Sequence, residues 1–175
     1  MAAGFAFEVL PADVDETPQG VERPQEYALR VARAKAERVA RERANDVILS
    51  ADTVVVADGT MMGKPADAAE AAQMLRALSG TVHEVHTAVV VRAGQHTAER
   101  VVTTRVQFQP LTEREIAWYV GTGEPAGKAG AYAIQGRAAR FVEWIDGSWS
   151  NVVGLPISTV YRLLAELPEA SAEVD

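Results

Sequence analysis

An α/β domain built on a mixed sheet is the fold class that this sequence predicts. Residues 47–57, with few polar side chains, and the valine-containing stretches 81–93 and 97–108 read as strands, and segments with helical apolar stripes are interspersed with them. Turn signals at Asp58-Gly59, Gly94-Gln95-His96 and Asp146-Gly147 punctuate the chain. A hydrophobic content of 48% is enough for a packed core.

The elements follow in order. Residues 5–10 read as a short strand, and an acidic loop carrying Asp13, Asp15 and Glu16 comes next. Pro24 opens a helix of about twenty residues, because proline suits a first helical turn. Its stripe is Ala28, Val31, Ala32 and Val39, and Lys35 falls inside that stripe. Residues 47–57 form a strand with so few polar residues that burial on both faces is expected. Asp67, with Glu70 three residues on, starts a helix with the stripe Ala68, Ala71, Ala72, Leu75 and Leu78, and Gly80 closes it. The strands at 81–93 and 97–108 meet at the Gly94 turn; Val102, Thr104, Val106 and Phe108 share one face of the second. Thr112 and Glu115 form a capping box for a helix ending near Gly121, and a glycine- and alanine-rich loop runs to Gly136. Phe141–Ile145 and Ser148–Val153 read as a hairpin about Asp146-Gly147. Pro156 opens the last helix, with Val160, Leu163, Leu164 and Leu167 as its stripe. Residues 1–168 are expected to form one domain and 169–175 a tail.

Composition narrows the function. A net charge of −7 is a poor match for duplex nucleic acid, which rewards broad basic patches. There are no cysteines, so disulfides, thiolate zinc sites and cysteine nucleophiles are excluded, and a reducing cytoplasm fits. No apolar run is long enough for a membrane span, and the start lacks the basic and apolar regions of a secretion signal.

Lysine usage is the most pointed compositional feature. The chain holds 17 basic residues, and only Lys35, Lys64 and Lys128 are lysine. Lysine offers a compact ammonium where arginine offers a wide fork. Two of the three lie in glycine-bounded turns and one in a helix stripe, settings that suit a polyanionic ligand such as a phosphate; a bias toward arginine would also leave few lysines.

Asp52 stands within an apolar strand, where a carboxylate is costly unless it is paired, hydrogen-bonded or metal-bound. It reads as a metal ligand or general base, or as a structural aspartate satisfied by backbone or Thr53. Lys35, taken alone, reads first as a snorkelling side chain. Lys64 precedes a helix N-terminus, a place suited to anions, and Lys128 marks either a ligand approach or a loop tip. Asp13, Asp15 and Glu16 form either a hard-oxygen metal site or a solvated turn. His83 and His86, three apart in a strand, point to opposite faces and are assigned no role.

Five blocks carry a resemblance: Ser50-Ala51-Asp52-Thr53-Val54-Val55, Gly63-Lys64-Pro65, Leu78 to Thr87, Gly123 to Gly136, and Gly147 to Pro156. In this order, over nearly the whole chain, they resemble the Maf family of nucleoside triphosphate pyrophosphatases. The Ile134-Gln135-Gly136 text resembles the subgroup acting on dTTP and UTP. The resemblance implies a two-lobed, mixed-sheet fold similar to inosine triphosphatases, with the nucleotide in the cleft. It implies hydrolysis to monophosphate and pyrophosphate, as house-cleaning of cytoplasmic nucleotide pools, with a divalent cation (Mg²⁺ or Mn²⁺). By position, Asp52 matches the catalytic acid residue, as proton acceptor or metal ligand, and Glu16 an acidic position near the metal. Lys35 and Lys64 match phosphate-contacting lysines, Thr53 and Gln135 match base-selecting positions, and Lys128 matches a family position of no assigned role. A homodimer is consistent with the family; nucleic acid and membrane partners are not expected. The family's Ser-x-Ser-Pro-Arg-Arg turn, a phosphate clamp, has no counterpart in this sequence. A non-catalytic nucleotide-binding or cell-division regulatory protein is therefore the alternative.

Overall fold

The computed structural model describes residues 4–167. The expected tail at 169–175 lies outside the described residues. Helix α1 (Pro24–Ala40) is followed by strands β1 (Val47–Ala57) and β2 (Thr60–Met62), helix α2 (Ala68–Leu78), and the long hairpin β3 (Val82–Ala93) and β4 (His96–Phe108). Helix α3 (Glu113–Gly121), strand β5 (Val142–Asp146) and helices α4 (Trp149–Val153) and α5 (Ile157–Ala165) complete the order. The sheet runs β2-β1-β3-β4-β5, and all four pairings are antiparallel. The class is the expected α/β one; the parallel pairing that a mixed sheet requires is not among the described residues. No helix among them is long and apolar enough to cross a membrane.

The period-2 alternation of β1 and β3 sorts side chains onto two faces. Ile48, Val54, Ala88 and Val90 meet Ala28, Ala32 and Ala36 of α1 on one face. On the other face, Val55, Val85, Val106 and Phe108 pack with Leu75 and Leu78 of α2, Ile116 and Tyr119 of α3, and Phe141. Farther along that same face, Val89 and Val91 pack against Val160 and Leu163 of α5. Alanines on α1 allow close approach to the sheet. Helix α2 begins as its sequence dictates, with the Asp67 carboxylate accepting from Glu70 N at 2.8 Å. The Thr112–Glu115 capping box at α3 is also formed.

Three local expectations are corrected. Residues 5–10 form no strand; they run irregularly beside β1. Strand β1 is not buried on both faces throughout, because Val47 and Leu49 stand exposed near its start. The segment after Gly147 is a short helix, not the second arm of a hairpin. Ser148 caps it, its hydroxyl accepting from Asn151 N at 3.3 Å, and Gly154 ends it in the left-handed region at φ 112°. The two turn-forming ends override the β-branched pair Val152-Val153. His83 and His86 do face opposite ways: His83 joins Tyr132 at 2.8 Å on one face, and His86 joins Thr103 at 2.8 Å on the other.

Candidate active site

Asp52 extends from the α1 face of β1, and Lys35 reaches it from α1. The ammonium donates to Asp52 Oδ1 at 2.6 Å and lies 2.8 Å from Glu16 Oε1. Lys64, in the turn after β2, donates to Glu16 Oε2 at 3.0 Å. Glu16 therefore bridges two lysines, and Lys35 bridges two carboxylates. The acidic loop is held over α1 by the Tyr27 hydroxyl, which donates to Glu16 O at 2.8 Å, and by Arg30, which donates to Thr17 O at 3.0 Å. Asp15 does not join the cluster; its carboxylate turns back to accept from Thr17 N at 2.8 Å.

Burial sets the electrostatics. Asp52 is only 9% exposed, and that desolvation pushes its carboxyl above the ordinary range despite the lysine bonded to it. Burial works against the Lys35 ammonium too, but the Asp52 and Glu16 carboxylates more than offset it and hold the ammonium above its ordinary value. Burial likewise raises Glu16, yet Lys35 and Lys64 outweigh it and hold its carboxyl low. The cluster thus favours the charged forms of Lys35 and Glu16 and, through burial, disfavours that of Asp52.

A cavity of about 260 Å³ opens beside this cluster. Asp52, Thr53, Lys64, Lys128, Gln135 and Gly154 are among its lining residues. A wider groove of about 810 Å³, which includes Lys35, runs along the outer edge of β1. All three lysines of the chain therefore meet one region of the fold. The loop bearing Lys128 and Gln135 is pinned from both sides. Gly130 N donates to Gly63 O at 3.1 Å, next to Lys64. The Glu124 carboxylate accepts from the Tyr119 hydroxyl at 2.9 Å, Arg137 N at 2.8 Å and Ala138 N at 3.3 Å. Opposite the loop, α4 is anchored by Asn151, whose amide donates to Val85 O and Thr104 Oγ1, both at 3.0 Å.

The structure brings Glu16, Lys35, Asp52 and Lys64 into one cluster, and Thr53, Gln135 and Lys128 line the cavity beside it with Asp52 and Lys64; Asp15, another acidic-loop candidate, stays outside. The supporting residues Tyr27, Thr87, Glu124 and Asn151 escaped sequence reasoning. Their side-chain partners lie 5 to 66 positions away, and no local periodicity encodes such pairings.

The described residues contain no ready-made group of three histidine, cysteine or acidic side chains for a metal. Glu16 and Asp52 nevertheless suit a hard divalent cation. They are oxygen donors that already bracket a cation, the Lys35 ammonium. Mg²⁺ commonly takes one or two carboxylates and fills its remaining positions with water and substrate phosphates.

Comparison of the sequence with known proteins finds a matching family model and similar proteins. The model described as "Maf-like protein" matches residues 1–167. A protein of Anaeromyxobacter dehalogenans named "dTTP/UTP pyrophosphatase" is 53% identical over 165 residues, covering 92% of this chain and 83% of that protein. Proteins of the same name from Koribacter versatilis and Shigella sonnei are 48% and 46% identical. They cover 93% of this chain each, and 84% and 83% of their own lengths.

Proposed function

This chain belongs to the Maf family, and from that premise we propose that it hydrolyses dTTP and UTP to the nucleoside monophosphate and pyrophosphate. The observation that carries this reading is the convergence of Asp52, Lys35, Glu16 and Lys64 at the mouth of a cavity of nucleobase size. On this reading the base enters the 260 Å³ cavity against Thr53 and Gln135, and the phosphates lie outward across the lysines.

The roles follow from the chemistry. Lys35 and Lys64 exchange part of their carboxylate contacts for phosphate oxygens and neutralise charge there. Lys128, which lines the same cavity, adds a third ammonium. Asp52, with its carboxyl raised by burial, accepts the proton of the water that attacks the α-phosphorus. A divalent cation held by Glu16 and Asp52 would offset triphosphate charge and polarise the phosphoryl oxygens. The Gln135 amide presents both a donor and an acceptor to the base edge.

Pyrophosphate release from dTTP, UTP, CTP and ATP, with Mg²⁺ or Mn²⁺, tests the reading. Turnover of dTTP and UTP is expected to exceed that of CTP and ATP. Asp52→Asn should lower kcat by about 10²–10⁴-fold, the span of a positioned proton acceptor. Equal turnover of all four nucleotides would refute the substrate assignment. Full activity in the asparagine variant would remove Asp52 from the chemistry.

A further inference from the structure

Thr53 and Thr87 are direct cross-strand partners on β1 and β3, and their hydroxyl oxygens lie 2.9 Å apart. Thr87 is fully buried. Its hydroxyl also lies 3.0 Å from the backbone carbonyl oxygen of Asn151 in α4. A hydroxyl has one proton and a carbonyl can only accept. Two buried oxygens at that distance repel unless a proton lies between them, so the Thr87 proton points at Asn151 O. The proton in the 2.9 Å contact must then come from Thr53. With its only proton committed inward, the Thr53 hydroxyl offers the cavity lone pairs alone. Gly154 keeps that side open, since a Cβ there would stand 3.5 Å from Thr53 Oγ1.

We propose that Thr87, held by the Asn151 carbonyl, is a positioning residue that fixes Thr53 as an obligate acceptor, selecting a pyrimidine with a ring N3–H over one with a bare N3. Uracil and thymine carry that N–H; cytosine presents a lone pair in its place and meets lone pair with lone pair. Gln135 cannot impose this choice by itself. Its side chain is exposed, and rotation of the amide exchanges its donor and acceptor. The inference rests on the nucleotide reading above and assigns that reading its source of discrimination among pyrimidines.

The test compares kcat/KM for UTP and CTP in the wild type, Thr87→Val and Thr87→Ser. Valine keeps the shape and removes the acceptor, so the Thr53 proton is free to turn toward the cavity. The UTP/CTP ratio is expected to fall about tenfold or more in Thr87→Val, through better CTP turnover, and to persist in Thr87→Ser. A purely structural role would depress both substrates together and leave the ratio unchanged, and that result overturns the inference while leaving the hydrolase reading intact. Absence of UTP turnover in the wild type would instead overturn the hydrolase reading. Should Thr87→Val not fold, wild-type turnover of 3-methyl-UTP against 5-methyl-UTP decides. Loss confined to the 3-methyl compound supports the N–H requirement, and equal turnover refutes it.

Discussion

At the scale of single residues, burial decides which groups hold charge. His83 is packed against the edges of Phe108 and Tyr132, with ring centroids 5.1 and 5.4 Å away. Desolvation lowers its pKa from the ordinary 6.5 to about 4. The unfolded chain therefore binds a proton between those two values that the folded chain refuses. Stability from this residue is complete above about pH 6.5 and is lost as the pH falls toward 4, up to about 3 kcal/mol. Urea denaturation of wild type and His83→Gln at pH 7 and 4.5 should show a shallower acid loss in the variant, by about 2 kcal/mol. Parallel losses would mean that other groups account for the acid sensitivity. The same desolvation acts at Asp52, but there Lys35 opposes it. The two buried groups therefore differ: nothing charged offsets the desolvation of His83, whereas the Lys35 ammonium partly offsets that of Asp52.

At the scale of elements, the loop over the cavity depends on a close backbone approach. Gly130 has φ +66°, and a Cβ on it would meet Val55 Cγ2 at 2.8 Å and Val55 Cβ at 3.0 Å. Gly130→Ala is therefore strained twice, by its backbone and by β1 beneath it. It should cost about 2 kcal/mol or more and lift Lys128 and Gln135 away from Asp52. The expected outcome is a lower Tm and a raised KM for UTP. Val55→Ala in the same chain should recover only the part due to the clash, because the positive φ remains. Complete recovery would show that backbone strain contributes nothing. The elements themselves differed in legibility. Helices α1, α2 and α3 were readable because proline, the Asp67 cap and the Thr112–Glu115 box mark their starts. Helix α4 was not, since its five residues complete little more than one turn and Ser-Trp-Ser-Asn-Val-Val imitates strand alternation. The lysines, Asp52 and Glu16 were legible as chemistry out of place in its surroundings. The polar relay Thr53–Thr87–Asn151 was not, because threonine in a strand is ordinary and only the cross-strand register gives it meaning.

At the scale of the whole molecule, the outer edge of β1 is an exposed flank of the sheet among the described residues. Strand β2 pairs only with Val55, Val56 and Ala57, so among the described residues no strand covers the outer edge of β1 from Val47 to Val54. Val47 and Leu49 on that stretch are 56% and 41% exposed, and Phe7 and Val9 of the adjoining irregular segment are more exposed still. Apolar side chains beside unpaired strand amides form a template for another chain. The overall charge of −7 opposes approach, but the Debye length of about 8 Å at physiological salt confines that repulsion. Self-association through this edge should therefore grow as salt is added, the reverse of an association driven by ion pairs. Leu49→Lys places a charge on the edge and should suppress it severalfold in light scattering at high protein concentration. Leu49 touches neither Asp52 nor the cavity that holds Thr53 and Gln135, so UTP turnover should be unaffected. Undiminished association in Leu49→Lys, or association that weakens with salt, would place the contact on another surface.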